Sequence, residues 1–431
     1  VGELKQRAQE LLEVCIFELV HAHEPHRRLL PQLTLLEAGL DLEPEVGALV
    51  RRAEIASNRR SIAFALRRGD GSVVTWGDAR FGGRTTLIQD RLKDVQQICP
   101  SSGAFAALLA DGSVVTWGHA ECGGISAGVH EQLHEVQQIE ANGRAFAAIR
   151  SDGTVVTWGS AEEGGDSRKV QEKLRGVIRV RSTSSAFAAI RGDGTVVTWG
   201  NPCFGGDSSA VQHQLADVVD ISATAGAFAA VSAHERLVMW GSPDYGCDAS
   251  AANKLSHVRE VVASAGAFAV LRTDGTVASI GRSDCGGRAV DICDIERIFA
   301  SGSAFAAILS DGHVTTWGDS EYGGDSSAVQ DQLTDIQQVA CTAGAFAALR
   351  SDGRVVTWGQ ADCGGQSQEV RDQLSDVRDL GASFRAFAAI RIDGRVVTWG
   401  DPHYGGDGST VCPQLQNVDD FRPTALGILD V

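Results

Sequence analysis

The sequence predicts an all-β protein, a β-propeller of about nine three-stranded repeats of roughly 41 residues each, preceded by a small α+β segment. One observation is a phrase, Ala104-Phe-Ala-Ala-Leu-Leu-Ala-Asp-Gly-Ser-Val-Val-Thr-Trp-Gly118, that returns with small changes along most of the chain. A second is its spacing. All eight tryptophans (Trp76, Trp117, Trp158, Trp199, Trp240, Trp317, Trp358 and Trp399) fill one slot, with Ile280 in the ninth, 41 residues apart except for 40 and 37 around Ile280. The third is the Asp-Gly pair between two apolar runs. Asp-Gly accepts the positive φ angles of a tight hairpin, so the runs read as antiparallel strands. Units of this kind, apolar on both faces, must be buried on both sides, which stacking around an axis achieves. A parallel solenoid is the competing architecture, and the hairpin inside each unit argues against it.

Residues 1–50 lie outside the repeat. Val1, Leu4, Ala8, Leu11 and Leu12 share one face of a helix, Phe17-Glu-Leu-Val20 follows as a strand, Leu33 to Leu40 is turn-rich, and Val46 to Val50 is extended. This order resembles the second half of a ubiquitin-like domain, without its opening hairpin and without a terminal Gly-Gly. A helical cap over the first blade's open edge is the alternative. The domain boundary is set at 50/51, with the repeat array over 51–431.

Each repeat contains a first strand such as Val136-Gln-Gln-Ile139, a small-residue turn, the Ala-Phe-Ala-Ala strand, the hairpin, and the Val-Val-Thr-Trp strand. A loop with Gly-Gly follows. Ser209 to Gln212 and Ser327 to Gln330 have capping-box spacing and predict a one- or two-turn helix that returns the chain to the next blade. After the ninth copy, Val418 to Phe421 and Thr424 to Leu429 are candidate closing strands for the first blade, or the start of a further repeat. The expectation is one array whose ends meet.

The formal net charge of −17, from 38 Lys+Arg and 55 Asp+Glu, opposes binding to nucleic-acid phosphates. No apolar stretch approaches the roughly 18 residues of a membrane span. The ten cysteines contain no Cys-x-x-Cys. Cys122, Cys285 and Cys363 share one slot with Phe81, Glu163, Phe204, Tyr245, Tyr322 and Tyr404, which reads as a side chain plugging a loop rather than a metal ligand, and free thiols point to a reducing compartment, cytoplasmic or nuclear. No histidine recurs beside a carboxylate or serine. The acidic loops after each Trp alternate with His119, Ser160 and Asn201, and the Gly-Gly loops lack a Gly-Lys-Ser/Thr ending. No catalytic residue, cofactor or metal is therefore assigned, and the chain is expected not to be an enzyme.

The whole pattern, a hydrophobic strand, Asp-Gly, Val-x-x-Trp-Gly and an aromatic-Gly loop, resembles the repeat of the regulator of chromosome condensation family, closest in length to its short three-stranded branch. Propellers of that family usually have seven blades. The resemblance implies binding functions: a protein-interaction scaffold, the recognition portion of a HERC-like ubiquitin ligase, or a guanine-nucleotide exchange factor for a small GTPase. The expected partners are proteins, with no nucleic acid and no membrane. The turns between first and second strands are mostly small, as in Ser101-Ser-Gly103, and basic or aromatic in three copies. Arg59, Arg60, Arg144, Phe384 and Arg385 are the candidate partner-binding residues. Closure with nine blades would make Arg59, Arg60, Phe384 and Arg385 one patch, and pairing with Asp78 or Asp401 is the plain structural alternative. The seam around blades five and six, where Asp-Gly becomes His234-Glu235 and Trp becomes Ile280, is expected to be the weakest.

Overall fold

The computed structural model describes residues 53–57, 61–288, 292–409 and 415, and the strand backbones of 16–21, 24–29, 45–50 and 429–430. Nine three-stranded antiparallel sheets follow one another among the described residues. Blades 1 to 9 begin at Glu54, Val95, Val136, Val177, Val218, Val258, Ile295, Ile336 and Val377, and they end at Gly77, Gly118, Gly159, Gly200, Gly241, Gly281, Gly318, Gly359 and Gly400. Blade 4 shows the plan with Val177–Ser182, Ala186–Arg191 and Val196–Gly200, where Phe187 pairs across to Trp199. Its two rings stack at 5.2 Å. First strands of neighbouring blades touch each other and the middle strand of the preceding blade, so the first strand is innermost and the Trp strand outermost.

The alternation along each strand builds the core between blades rather than inside them. Blade 3 offers Ala145, Ala147, Ile149 and Val155, and the facing side of blade 4 inserts Val180, Phe187, Ala189 and Trp199. Small alanines on one face leave room for aromatics from the next, and complete burial of one such ring is worth about 1.5–3 kcal/mol. The connector must approach closely too. A Cβ on Gly164 would lie 2.7 Å from Phe187 Cδ2, so that position admits only glycine.

The ring closes with nine blades. The backbone N–H of Ser102 donates to the carbonyl of Gly143, Gly143 to Ser184, Ser184 to Ala225, Ala225 to Ala265, Ala265 to Gly302, Gly302 to Ala343, Ala343 to Phe384 and Phe384 to Ser61, all at equivalent positions of successive blades. Trp76 of blade 1 donates its indole N–H to Gly405 O, 3.0 Å away, just as Trp199 does to Gly164 O. Ala386, Ala388 and Ile390 of blade 9 pack on Phe64 and Trp76 of blade 1. Closure needs no exchanged strand, because blade 1 takes its inner strand, Glu54–Ala56, from its own sequence. Among the described C-terminal residues, Leu429–Asp430 forms no part of blade 1, and the expected closing strand over 418–421 and most of 424–429 lies outside the described residues. Leu429–Asp430 pairs instead with Glu45–Val50, which pairs with Ile16–His21, itself joined to Glu24–Leu29. The two expected N-terminal strands fall in this four-stranded sheet, while the expected helix over 1–12, the turn-rich 33–40 and the 418–421 strand lie outside the described residues.

Among the described residues the predicted connector helices are 3-10 turns, such as Gln212–Gln214 and Ser327–Gln332, apart from one α-helical turn at Ala249–Ala252. The capping-box bond is not made. The Asp207 carboxylate takes the Ser209 N–H instead, and Gln212 turns its amide N–H back to Val196 O at 3.0 Å. Gln89, Gln171 and Gln330 do the same to Val73, Val155 and Val314. An outer strand is a sheet edge, and these glutamines satisfy its exposed carbonyl, which explains why the segment favours a short turn carrying Gln over a longer helix.

Candidate functional site

The upper face of the ring carries the turns between inner and middle strands together with the loops after each Trp; the Asp-Gly hairpins lie below. In most blades a Ser or Thr at the start of the turn joins these two parts. Thr183 Oγ1 accepts the Ala186 N–H and donates to Phe204 O, both at 3.0 Å, and Asn142 makes the same pair of links with its amide. The turns are small because the neighbouring plug fills the space: a Cβ on Gly103 would lie 2.6 Å from Phe81 Cδ1. Along the sequence an aromatic plug is followed in the next blade by glycine (Phe81 and Gly103, Phe204 and Gly226, Tyr245 and Gly266, Tyr322 and Gly344), whereas Cys122 is followed by Arg144 and Cys363 by Arg385. The two arginines thus stand where a smaller plug leaves room, and burial pushes both thiols above their ordinary range. The plug reading of the cysteines holds for Cys122, Cys285 and Cys363, all buried and unbridged.

The five candidate residues divide into three groups. Phe384 and Arg385 sit on the blade 9 turn, where the Phe384 N–H bonds Ser61 O of blade 1 at 3.0 Å, so the first and ninth turns are neighbours. Phe384 packs on Tyr404 at 5.6 Å, and the Arg385 guanidinium lies 5.9 Å over the same ring while pairing with Asp401 at 3.4 Å. Arg144 is in blade 3, away from this joint. It is held by Glu121 at 2.7 Å and Glu163 at 3.8 Å, a carboxyl that burial pushes above its usual range. Arg59 and Arg60 lie outside the described residues. Nine positions separate Ile55 from Phe64, against seven between the equivalent Val180 and Phe187, so the blade 1 turn is two residues longer than the others. The plain alternative is realised for Arg385 through Asp401, while Asp78 is engaged by Arg80 at 2.6 Å.

What the arrangement offers is contact surface. Phe384 is 37% exposed while the equivalent Ser101-neighbouring turns present only Gly, Ala or Ser. Among the described residues no group of three or more His, Cys, Asp or Glu has the geometry of a metal site, and no helix is long and apolar enough to cross a membrane. Sequence reasoning singled out Phe384 and Arg385 because they break the small-residue rule, and did not join them to Tyr404, whose contact with both comes from a loop 20 residues on.

No protein-family model matches the chain, and no curated protein matches it. Solved structures with a similar course include Prp20p from Saccharomyces cerevisiae, described with its binding properties to Gsp1p and histones (16% identity, 76% of this chain and 95% of that one, TM-score 0.42). Yeast RCC1 (Prp20) bound to Kap60 aligns at 13% identity over 61% of this chain and 81% of that one, TM-score 0.40. The computationally designed Ika8 protein aligns at 14% identity over 71% and 96%, TM-score 0.37. The assignment of the fold rests on the nine sheets and their ring of hydrogen bonds: the chain is a β-propeller of three-stranded blades.

Proposed function

We propose that the chain is a non-enzymatic protein-interaction scaffold whose upper face, at the joint of blades 9 and 1, docks a protein partner. The observation that carries this reading is Phe384, an exposed aromatic in a ring of small turn residues, with Tyr404 and Arg385 against it. Aromatic and arginine side chains are the types that most often anchor interfaces. Arg59 and Arg60 belong to the same joint by sequence and add positive charge to an acidic molecule. The test is a pull-down from cell extract with the parent chain and with Phe384→Ser combined with Arg59→Ser, Arg60→Ser and Arg385→Ser. Loss of specific proteins from the variant supports the reading, and an identical set refutes it.

A narrower reading, the recognition portion of a HERC-like ubiquitin ligase, is favoured by the antiparallel pairing of Ile16–His21 with Glu45–Val50, the strand neighbours that a ubiquitin-like segment would bring. Extending the reading frame downstream tests it, since a HECT sequence must follow. Acceleration of nucleotide release from a panel of small GTPases tests the exchange-factor reading.

A further inference from the structure

The outer wall of the ring carries clefts between a Trp strand and the connector that follows it, and the cleft on blade 1 departs from the others in charge. At blade 9 the lining includes Asp362, Glu369, Asp401 and Asp407, and at blade 3 it includes Asp166, which Arg168 pairs at 2.6 Å. The blade 1 cleft, about 720 Å³, is lined by Arg68, Arg84, Ser72 and Thr86 and, among the described residues, by no Asp or Glu. The nearest carboxylates in sequence are engaged or stand outside the lining. Asp78 holds Arg80 at 2.6 Å, Asp70 accepts the Ser72 backbone N–H at 2.8 Å, and Asp90 is exposed on the connector.

The donors of this cleft are unspent where the repeat elsewhere spends them. The residue after Gly-Gly is acidic in five blades, at Asp166, Asp207, Asp248, Asp325 and Asp407, and its carboxylate accepts a backbone N–H from the start of the connector, as it does from Ser209 and Ser327 at 2.9 Å. In blade 1 that residue is Arg84. The N–H and hydroxyl of Thr86, the equivalent of Ser209, consequently have no acceptor among the described residues, and the exposed Arg84 guanidinium has no ion pair there. Ser72 departs from the pattern too. Ser113, Thr154, Thr195 and Thr276 each donate a hydroxyl to the hairpin Asp at 2.6 Å, whereas the Ser72 oxygen is buried without a partner. A position that in five blades supplies an anion supplies a cation here, next to donors that want an acceptor.

We propose that the blade 1 cleft binds a phosphate monoester group, whose oxygens replace the missing carboxylate at Thr86 and pair with Arg84, with Arg68 and the Ser72 hydroxyl as further donors. The number of donors selects phosphate over carboxylate: a carboxylate brings two oxygens and one charge, a phosphate monoester three oxygens and close to two charges, and a guanidinium fork fits the latter in a bidentate pair. The net charge of −17 disfavours a polyanionic strand and leaves a single phosphate group as the fitting ligand. The site does not depend on the Phe384 surface.

The experiment is a phosphorus NMR titration of the full chain with O-phosphoserine and with inorganic phosphate, with acetate as competitor. Both phosphates should show saturable broadening that acetate at the same concentration does not reverse. Arg84→Asp, which gives blade 1 the residue of five other blades, should weaken both by about tenfold or more while leaving the melting temperature at or above the parent's, and Arg84→Ser should weaken them similarly should the first variant fold poorly. Ser72→Ala should weaken them by about threefold. Phe384→Ser and Arg168→Ser, the paired arginine of blade 3, should leave affinity unchanged. A phosphoserine pentapeptide that binds about tenfold more tightly than O-phosphoserine supports the site with a protein side chain as the phosphate's source, and equal affinities support it with a small phosphorylated molecule. Absence of saturable broadening, reversal by equimolar acetate, or an affinity indifferent to the Arg84 changes overturns the proposal.

Discussion

The joint between blades 3 and 4 and the joint between blades 6 and 7 are made from the same repeat and hold together differently. At the first, Trp199 donates to Gly164 O at 3.0 Å, and Thr157, Ser167, Gln171 and Val155 O form a connected chain of bonds along the outer edge. At the second, Trp317 Nε1 is buried with no acceptor, and across the strand-edge position of Thr157 stands Ser279, whose hydroxyl is likewise buried and unpartnered. Twelve positions run from Gly165 to Val177 but only eight from Gly287 to Ile295, so the connector segment that carries Ser167 and Gln171 has no counterpart. Yet Phe305 remains fully buried and Trp317 is 6% exposed. Apolar packing, which has no direction, survives a shortened connector. Hydrogen bonds that depend on its exact path do not.

The comparison can be broken first by removing the wedge itself. Trp199→Ala should cost about 3–5 kcal/mol, because it leaves a cavity between blades 3 and 4 and orphans Gly164 O; a thermal melt equal to the parent's would contradict the wedge role. Next comes the staple of the upper face. Thr183→Ala frees both the Ala186 N–H and Phe204 O and should cost about 1–3 kcal/mol, whereas Asn142→Thr, which keeps both links, should change the denaturant midpoint hardly at all. A sharper cut is the pair Trp199→Phe and Trp317→Phe. Both lose the same volume, but only the first gives up a hydrogen bond, so the first should be the more damaging by about 1 kcal/mol, and equal losses would mean that Trp317 is bonded in solution. Native-state hydrogen exchange extends the contrast without mutation: amides over residues 232–295 should exchange fastest, and uniform protection around the ring would remove the difference between joints.

The smallest effect concerns acid. The hydroxyls of Ser113, Thr154, Thr195 and Thr276 hold the carboxyls of Asp111, Asp152, Asp193 and Asp274 below the ordinary range, and the Arg168 guanidinium holds Asp166 down to about 2. Because these folded-state values are depressed, the stability they contribute is fully present above the usual carboxylate pKa of about 3.9 and is lost as pH falls through the folded values. Melting temperature should therefore be flat near neutrality and decline between about pH 4 and 2. Blade 5, with His234-Glu235 in its hairpin, has no such Asp and should show the least local change.

Period and hairpin chemistry made the blades readable before any coordinates, since Asp-Gly and the Phe and Trp slots each have one physical use and repeat it. Nine copies could be counted, but that all nine close one ring could not be read. It depends on how much each blade rotates relative to the last, which is set by the match of Ala145 and Ala147 to Phe187 and its equivalents rather than by any one residue. The connector helix misled because Ser209 and Gln212 have capping spacing, but Asp207 takes the Ser209 N–H that the Gln212 side chain would have reached, and the glutamine bonds the edge carbonyl of Val196 instead. At the candidate site, Phe384 and Arg385 stood out as exceptions to a pattern. Asp401 was named from the sequence as a pairing partner, whereas Tyr404 and Cys363 could be joined to them only by the fold.

The first and last blades meet without sharing a strand, and this frees the order of the chain from the order of the ring. Each blade is complete in consecutive residues, and the backbone bond that links blade 9 to blade 1 is the one that links seven other neighbouring pairs. Topologically, the break in the polypeptide is an arbitrary point on a circle. A circular permutant that joined the flanking sheet, where Glu45–Val50 already meets Leu429–Asp430, and opened instead in the exposed turn at Gln212–Gln214 would present the same nine joints in a different sequence order.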